Sequence, residues 1–191
     1  MVGASLGGIA ALKVLLSGLS GTFWLPLVIV QHRLSQPDGL MSYLQKCSVL
    51  PLTEPNDKEP IVSRHVYLAP ADYHLLLERG SFALSTEPPV HSARPSIDVL
   101  FESAADVYGK TVIGIILTGA SEDGAQGLAW IKSAGGMAVV EDPATAQCSI
   151  MPQAALTAGA ADRVLAIEQI APFLTALCKH APTRKPYAER T

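Results

Sequence analysis

The chain has 191 residues, 49% of them hydrophobic and 16% charged, with a formal net charge of −3. That length suits one α/β domain with a substantial core, and the composition excludes a disordered chain. The charge leaves no electrostatic footprint for nucleic acid, and the longest apolar stretch, Phe23 to Val30, falls far short of the roughly 20 residues that span a bilayer. Neither nucleic-acid binding nor membrane insertion is expected.

In chain order, a short first strand ends near Gly3, and a helix over 7–17 follows a turn at Ser5. Residues 25–31 form an apolar run of strand length, as in a parallel strand buried on both faces, and a helix is expected over 37–46. Between Pro51 and Pro89 the pattern shortens. Residues 65–69, 74–78 and 81–85 read as strands, the last two joined as a hairpin at Arg79-Gly80, so the sheet is expected to gain antiparallel strands there. Arg94-Pro95-Ser96 starts a helix with Pro95 near its first turn, and Ile97, Leu100, Phe101, Ala104, Ala105 and Tyr108 form its apolar stripe before Gly109. Strands over 110–117, 137–141 and 163–165 then alternate with helices over 125–133, 152–158 and 168–179. This alternation predicts an α/β fold: a doubly wound, mostly parallel sheet with helices on both faces and a small antiparallel hairpin region. The polar stretch 180–191, with Pro182 and Pro186, is expected to be a solvated tail or the start of a linker, leaving 1–179 as the domain.

Chemistry enters at Gly3-Ala4-Ser5-Leu6-Gly7, a match to the G-x-S-x-G pattern in which a sharp strand-to-helix turn exposes a nucleophilic hydroxyl. The helix that follows brings backbone N–H groups to where negative charge develops in acyl transfer. A serine needs a base, and the chain holds five histidines. His65 alternates with apolar residues on a strand, His74 opens another strand, His91 lies in a Pro-rich loop and His180 in the tail. His32 differs: it follows the 25–31 run at the carboxyl end of a buried strand. The best orienting carboxylate is Asp123, which follows the second buried run through Thr118-Gly119-Ala120-Ser121-Glu122. Ser5, His32 and Asp123 each lie just beyond a strand's carboxyl end, where open α/β sheets build their sites. The bland alternatives are a plain turn for Ser5, a polar cap for His32 and a helix N-cap for Asp123.

These residues resemble a known family. Gly3-Ala4-Ser5-Leu6-Gly7-Gly8, Gln31-His32, the run from Ala93 to Phe101, Leu117-Thr118-Gly119 through Asp123-Gly124, and Met151-Pro152 are similar to the catalytic domain of the CheB-type chemotaxis protein-glutamate methylesterases. The likeness keeps the same order from about residue 2 to about residue 175. It implies a triad of Ser5, His32 and Asp123 that hydrolyses glutamate methyl esters on the cytoplasmic helices of chemoreceptors, often with deamidation of receptor glutamines. It implies oxyanion binding by backbone N–H groups near Leu6 and Ala120, and no metal or organic cofactor. The family often has methionine where Ala120 stands, and glycine where Ile150 stands. Family members usually carry a receiver domain; none of these 191 residues corresponds to one, so a receiver or methyltransferase domain is expected only on a longer chain.

Two other classes fit less well. A nucleotide site would need G-x-G-x-x-G or a P-loop lysine, and the second strand ends in Gln31-His32 rather than an acidic residue. An ordinary α/β-hydrolase runs Ser, acid, His, whereas this chain offers Ser, His, acid. A non-catalytic receptor-binding or signalling interaction domain and a small-molecule esterase stay open. No secretory signal opens the chain, and Cys47, Cys148 and Cys178 lack metal-ligand spacing, so reduced thiols in the cytoplasm are expected.

Overall fold

The computed structural model describes residues 1–33 and 39–180. Strands β1 (Val2–Ala4), β2 (Leu27–Gln31), β3 (Leu52–Thr53), β4 (Val66–Leu68), β7 (Ile113–Ile116), β8 (Met137–Glu141) and β9 (Arg163–Leu165) form a seven-stranded sheet in the order β3-β4-β2-β1-β7-β8-β9. All its pairings are parallel. Strands β5 (His74–Leu77) and β6 (Phe82–Ser85) make a separate antiparallel pair. The helices are α1 (Gly8–Gly18), α2 (Leu40–Cys47), α3 (Ile97–Tyr108), α4 (Ala125–Ser133), α5 (Ile150–Thr157) and α6 (Ile167–His180).

The side-chain period of two explains the layers. Along β2, Leu27 and Ile29 enter one apolar cluster while Val28 and Val30 enter another. The first cluster holds Leu12, Leu15 and Leu16 of α1, Leu44 of α2 and Ile170 and Leu174 of α6; the second holds Leu100 and Phe101 of α3, Leu128 and Ile131 of α4 and Met151 of α5. A sheet covered on both faces needs continuous apolar strands, and β2 is buried at all five positions. Chain order reverses at β1, which lies between β2 and β7, and that switch point opens a crevice at the carboxyl ends.

The structure corrects several expectations. β4 joins the main sheet in parallel beside β2, with Leu27 opposite Val66, so among the named strands only β5 and β6 pair antiparallel. That hairpin packs on α3, burying Leu75, Leu77 and Phe82 in the second cluster. Pro95 lies outside α3: Ser96 is its N-cap, with extended backbone and its side chain accepting from Val99 N–H. Residues 109–111 make a single 3₁₀ turn, which delays β7 to Ile113. Helix α2 begins at Leu40, and the expected first turn at 37–38 lies outside the described residues. Helix α6 reaches His180, one residue past the expected boundary, and 181–191 lie outside the described residues. Cys178 packs in the first cluster, and no disulfide joins the cysteines.

Candidate active site

β1 ends at Ala4, and the turn after it is fastened on three sides. Ser5 N–H donates to Thr118 O at 3.0 Å, and Ser5 O accepts from Gly8 N–H and from Gln31 Nε2, each at 2.9 Å. Gly7 has φ 81°, a left-handed conformation, and a Cβ there would come within 2.7 Å of the Gln147 side chain. The turn therefore admits only glycine at that position. Ser5 Oγ has no hydrogen-bond partner among the described residues and lines a cleft of about 550 Å³ with His32 and Ala120.

His32 follows β2, and its N–H donates to Ala4 O at 2.9 Å. Its Nε2 lies 2.7 Å from Asp123 Oδ2, whose side chain is fully buried. Asp123 is no cap for the helix it precedes, since α4 takes no side-chain cap. It caps α3 from outside: Ile97 N–H donates to Oδ2 at 2.7 Å, Asp98 N–H to Oδ1 at 3.0 Å and Ser96 Oγ to Oδ1 at 2.7 Å. A carboxylate at a helix N-terminus meets orphan N–H donors and the positive end of the helix dipole. Burial pushes the Asp123 carboxyl up, but the hydrogen bonds from His32, Asp98, Ile97 and Ser96 outweigh it and hold its pKa below the ordinary value. The carboxylate is thus ionised, and the imidazole it faces presents an N–H on Nε2, leaving Nδ1 as the basic nitrogen.

The two residues expected to bind an oxyanion flank this group. The N–H groups of Leu6 and Ala120 make no hydrogen bond among the described residues. Leu6 is 58% exposed beside Ser5. Thr118 ties the two loops together: its Oγ donates to Leu6 O at 2.9 Å and accepts from Cys148 N–H at 2.8 Å, while its N–H donates to buried Glu141 at 2.7 Å. Gly119 passes so close that a Cβ would sit 2.8 Å from Ser5 Cβ and collide with Met151 Sδ.

Sequence reasoning missed the scaffold around these residues. Ser96, Thr118 and Gln31 lie inside the motifs that carried the resemblance, yet the partners that tie them into the site are 27, 112 and 26 positions away and follow no local pattern. Of the other histidines, His74 is buried, with Ser96 N–H donating to its Nδ1 at 3.2 Å, and His65 stacks on Tyr67. His91 lines the cleft. A second, apolar cavity of about 300 Å³ lies at the opposite edge, between Trp24, Ile113 and Leu174, far from these groups. Among the described residues no cluster of His, Cys, Asp or Glu is arranged to hold a metal.

A doubly wound α/β domain with a serine, a histidine and a buried aspartate converging at its switch point is the class these elements define. The chain belongs to the CheB methylesterase family, whose sequence model matches residues 1–174. It is 48% identical over 173 residues to a putative protein-glutamate methylesterase/protein-glutamine glutaminase of Leptospira interrogans, covering 90% of each chain. It is 42% identical to protein-glutamate methylesterase/protein-glutamine glutaminase 2 of Anaeromyxobacter dehalogenans, covering 89% of this chain and spanning 50% of that relative. Its fold matches the crystal structure of the Thermotoga maritima CheB methylesterase catalytic domain with a TM-score of 0.87 and 32% identity, over 92% of this chain and 96% of that one. No described helix is long and apolar enough to cross a membrane.

Proposed function

We propose that this chain hydrolyses the methyl esters of glutamate residues on the cytoplasmic helices of chemoreceptors, and deamidates receptor glutamines at the same site, with residues 1–179 as the catalytic domain acting in the cytoplasm. Family membership and the relatives' names support the reaction. The observation that carries the assignment of residues is the 2.7 Å contact of His32 with buried Asp123 in the cleft that Ser5 lines. His32 Nδ1 takes the Ser5 proton as Oγ attacks the ester carbonyl, and Asp123 stabilises the imidazolium that forms. The unpartnered N–H groups of Leu6 and Ala120 receive the developing oxyanion. Collapse of the tetrahedral intermediate breaks the bond to the methoxy oxygen, which takes the proton from His32 and leaves as methanol. Water, deprotonated by the same nitrogen, then cleaves the acyl-enzyme to a glutamate carboxylate and restores Ser5. With glutamine the leaving group is ammonia.

Methanol release from methylated receptor fragments tests this reading. Wild type should release methanol, and Ser5→Ala should lower turnover by at least about a hundredfold with thermal stability nearly unchanged. Equal turnover in the variant removes Ser5 as nucleophile. Wild type that binds the fragments without turning them over is an interaction domain instead.

A further inference from the structure

Four basic side chains line the cleft, His32, Arg33, His91 and Arg94, against the single carboxylate of Asp72 among the described lining residues. With histidines counted neutral, the two arginines still outnumber Asp72, in a chain whose net charge on the same count is −3. Arg33 is paired with Glu54. Arg94 is not so paired: its Nη1 donates to the carbonyls of Thr86 at 2.9 Å and Glu87 at 3.1 Å, and among the described residues it meets no carboxylate. Its charge is positioned by neutral acceptors, with no counterion among the described residues.

His91 is held as deliberately. Val90 and Ala93 exchange backbone hydrogen bonds of 3.1 and 2.8 Å across a two-residue turn, whose central residues His91 and Ser92 have φ 48° and 61°. Such a turn favours Asn-Gly, and placing histidine and serine there is strained, a condition that persists where a side chain must be aimed. Nε2 of the half-exposed His91 then lies 3.3 Å from Oδ2 of buried Asp98. The other oxygen of Asp98 accepts from Gly127 N–H at 2.6 Å, and its own N–H donates to Asp123. The cleft thus holds two imidazoles, each backed through Nε2 by a buried aspartate at the N-terminus of α3. His32 faces Ser5. Nδ1 of His91 has no hydrogen-bond partner among the described residues.

We propose that His91, oriented by Asp98, and Arg94 form a carboxylate-binding subsite that engages an acidic side chain of the substrate within one helical turn of the esterified glutamate. The proposal rests on the esterase reading above and adds to it the two residues that select the neighbourhood of the ester. Bridging Asp98 and the substrate carboxylate, His91 donates from both nitrogens as an imidazolium and Arg94 adds its guanidinium charge, the pairing that charge-assisted recognition of a carboxylate requires.

The test compares two synthetic methyl-ester peptides that differ only in carrying glutamates or glutamines within one turn of the ester. Wild type should favour the acidic peptide by about tenfold in kcat/KM, the scale of one charge-assisted contact. His91→Gln and Arg94→Gln should each bring that ratio to within about twofold. General damage to the loop lowers both values and leaves their ratio intact, so a retained ratio in the variants overturns the subsite, as does equal use of both peptides by wild type. Product inhibition by the free acids that is equal for both peptides and relieved in His91→Gln would place the product carboxylate there, and also overturns it. The same ratio measured as Kd on Ser5→Ala needs no turnover. It decides the subsite even if methanol release fails and takes the esterase reading with it.

Discussion

Asp123 Oδ2 accepts from His32 Nε2 and from Ile97 N–H, both at 2.7 Å, so one oxygen fixes the imidazole and the start of α3 together. The carboxylate cannot move without disturbing either. Asp123→Asn keeps the shape but offers an amide that can donate to Nε2, which places the imidazole proton on Nδ1, the nitrogen needed as a base. Turnover of a methyl ester should fall by about 10⁴-fold, the scale seen when a triad aspartate becomes asparagine. A loss below tenfold, measured as initial rate of methanol release, would mean that Asp123 does not set the tautomer.

Ser96 links stability to the same group. Its buried hydroxyl donates to Asp123 Oδ1 at 2.7 Å and accepts from Val99 N–H at 3.4 Å. Ser96→Ala removes a helix cap and a hydrogen bond to an ionised acceptor, and should cost about 2 kcal/mol in urea unfolding. Turnover should fall less than in Asp123→Asn, because the Ile97 and Asp98 N–H groups still hold the carboxylate. An unchanged unfolding midpoint would show that neither bond contributes.

Much of this architecture is written locally and some is not. The runs over 25–31 and 110–117 are apolar enough to require cover on both faces, which is the condition for a parallel sheet, and both strands form. The short segment at 65–69 carries no comparable signal of direction. Whether Val66 pairs parallel or antiparallel depends on β2, some forty residues earlier in the chain. The turn at Ser5 is legible because Gly7 is demanded by its own φ. Asp123 is legible as a carboxylate after a strand, but its role as a cap for α3 arises from contacts across 25 to 27 positions, and a local reading assigns it to α4. His91 is hidden for the opposite reason: a histidine in a left-handed turn breaks the turn rules, and only the geometry shows what holds it.

Gly119 is expected to separate stability from catalysis. An alanine Cβ there collides with Met151 Sδ and comes to 2.8 Å from Ser5 Cβ. Gly119→Ala should lose about 1–3 kcal/mol of stability through overpacking and should lower turnover at least about tenfold by displacing Ser5. Adding Met151→Ala relieves the first clash and not the second. The double variant should gain back thermal stability relative to a simple sum of the two changes while remaining slow. Recovery of turnover in the double variant would show that the contact with Ser5 is harmless.

Glu141 predicts a pH dependence of stability with a definite sign. It is buried at the end of β8 and accepts from Thr118 N–H at 2.7 Å. Burial raises its pKa above the ordinary 4.5; the Thr118 hydrogen bond opposes that and nearby Glu168 adds to it, leaving the net shift upward. Folding therefore favours the protonated acid. Between the unfolded and folded values the native state binds more protons, so this group's contribution is complete below pH 4.5 and is lost as pH rises through the folded value. Glu141→Gln keeps an acceptor for Thr118 N–H and never ionises, so it should be more stable than wild type at neutral pH. The gap should close on acidification towards 4.5. Asp98, raised by burial, and Asp123, lowered by its hydrogen bonds, titrate in both proteins and cancel in the difference. Thermal midpoints of both proteins across pH 4 to 8 measure the gap, with about ten buffers sufficient to define it. A gap that is independent of pH, or that opens on the acid side, would show that the Glu141 carboxylate is better stabilised by Thr118 than its burial is costly.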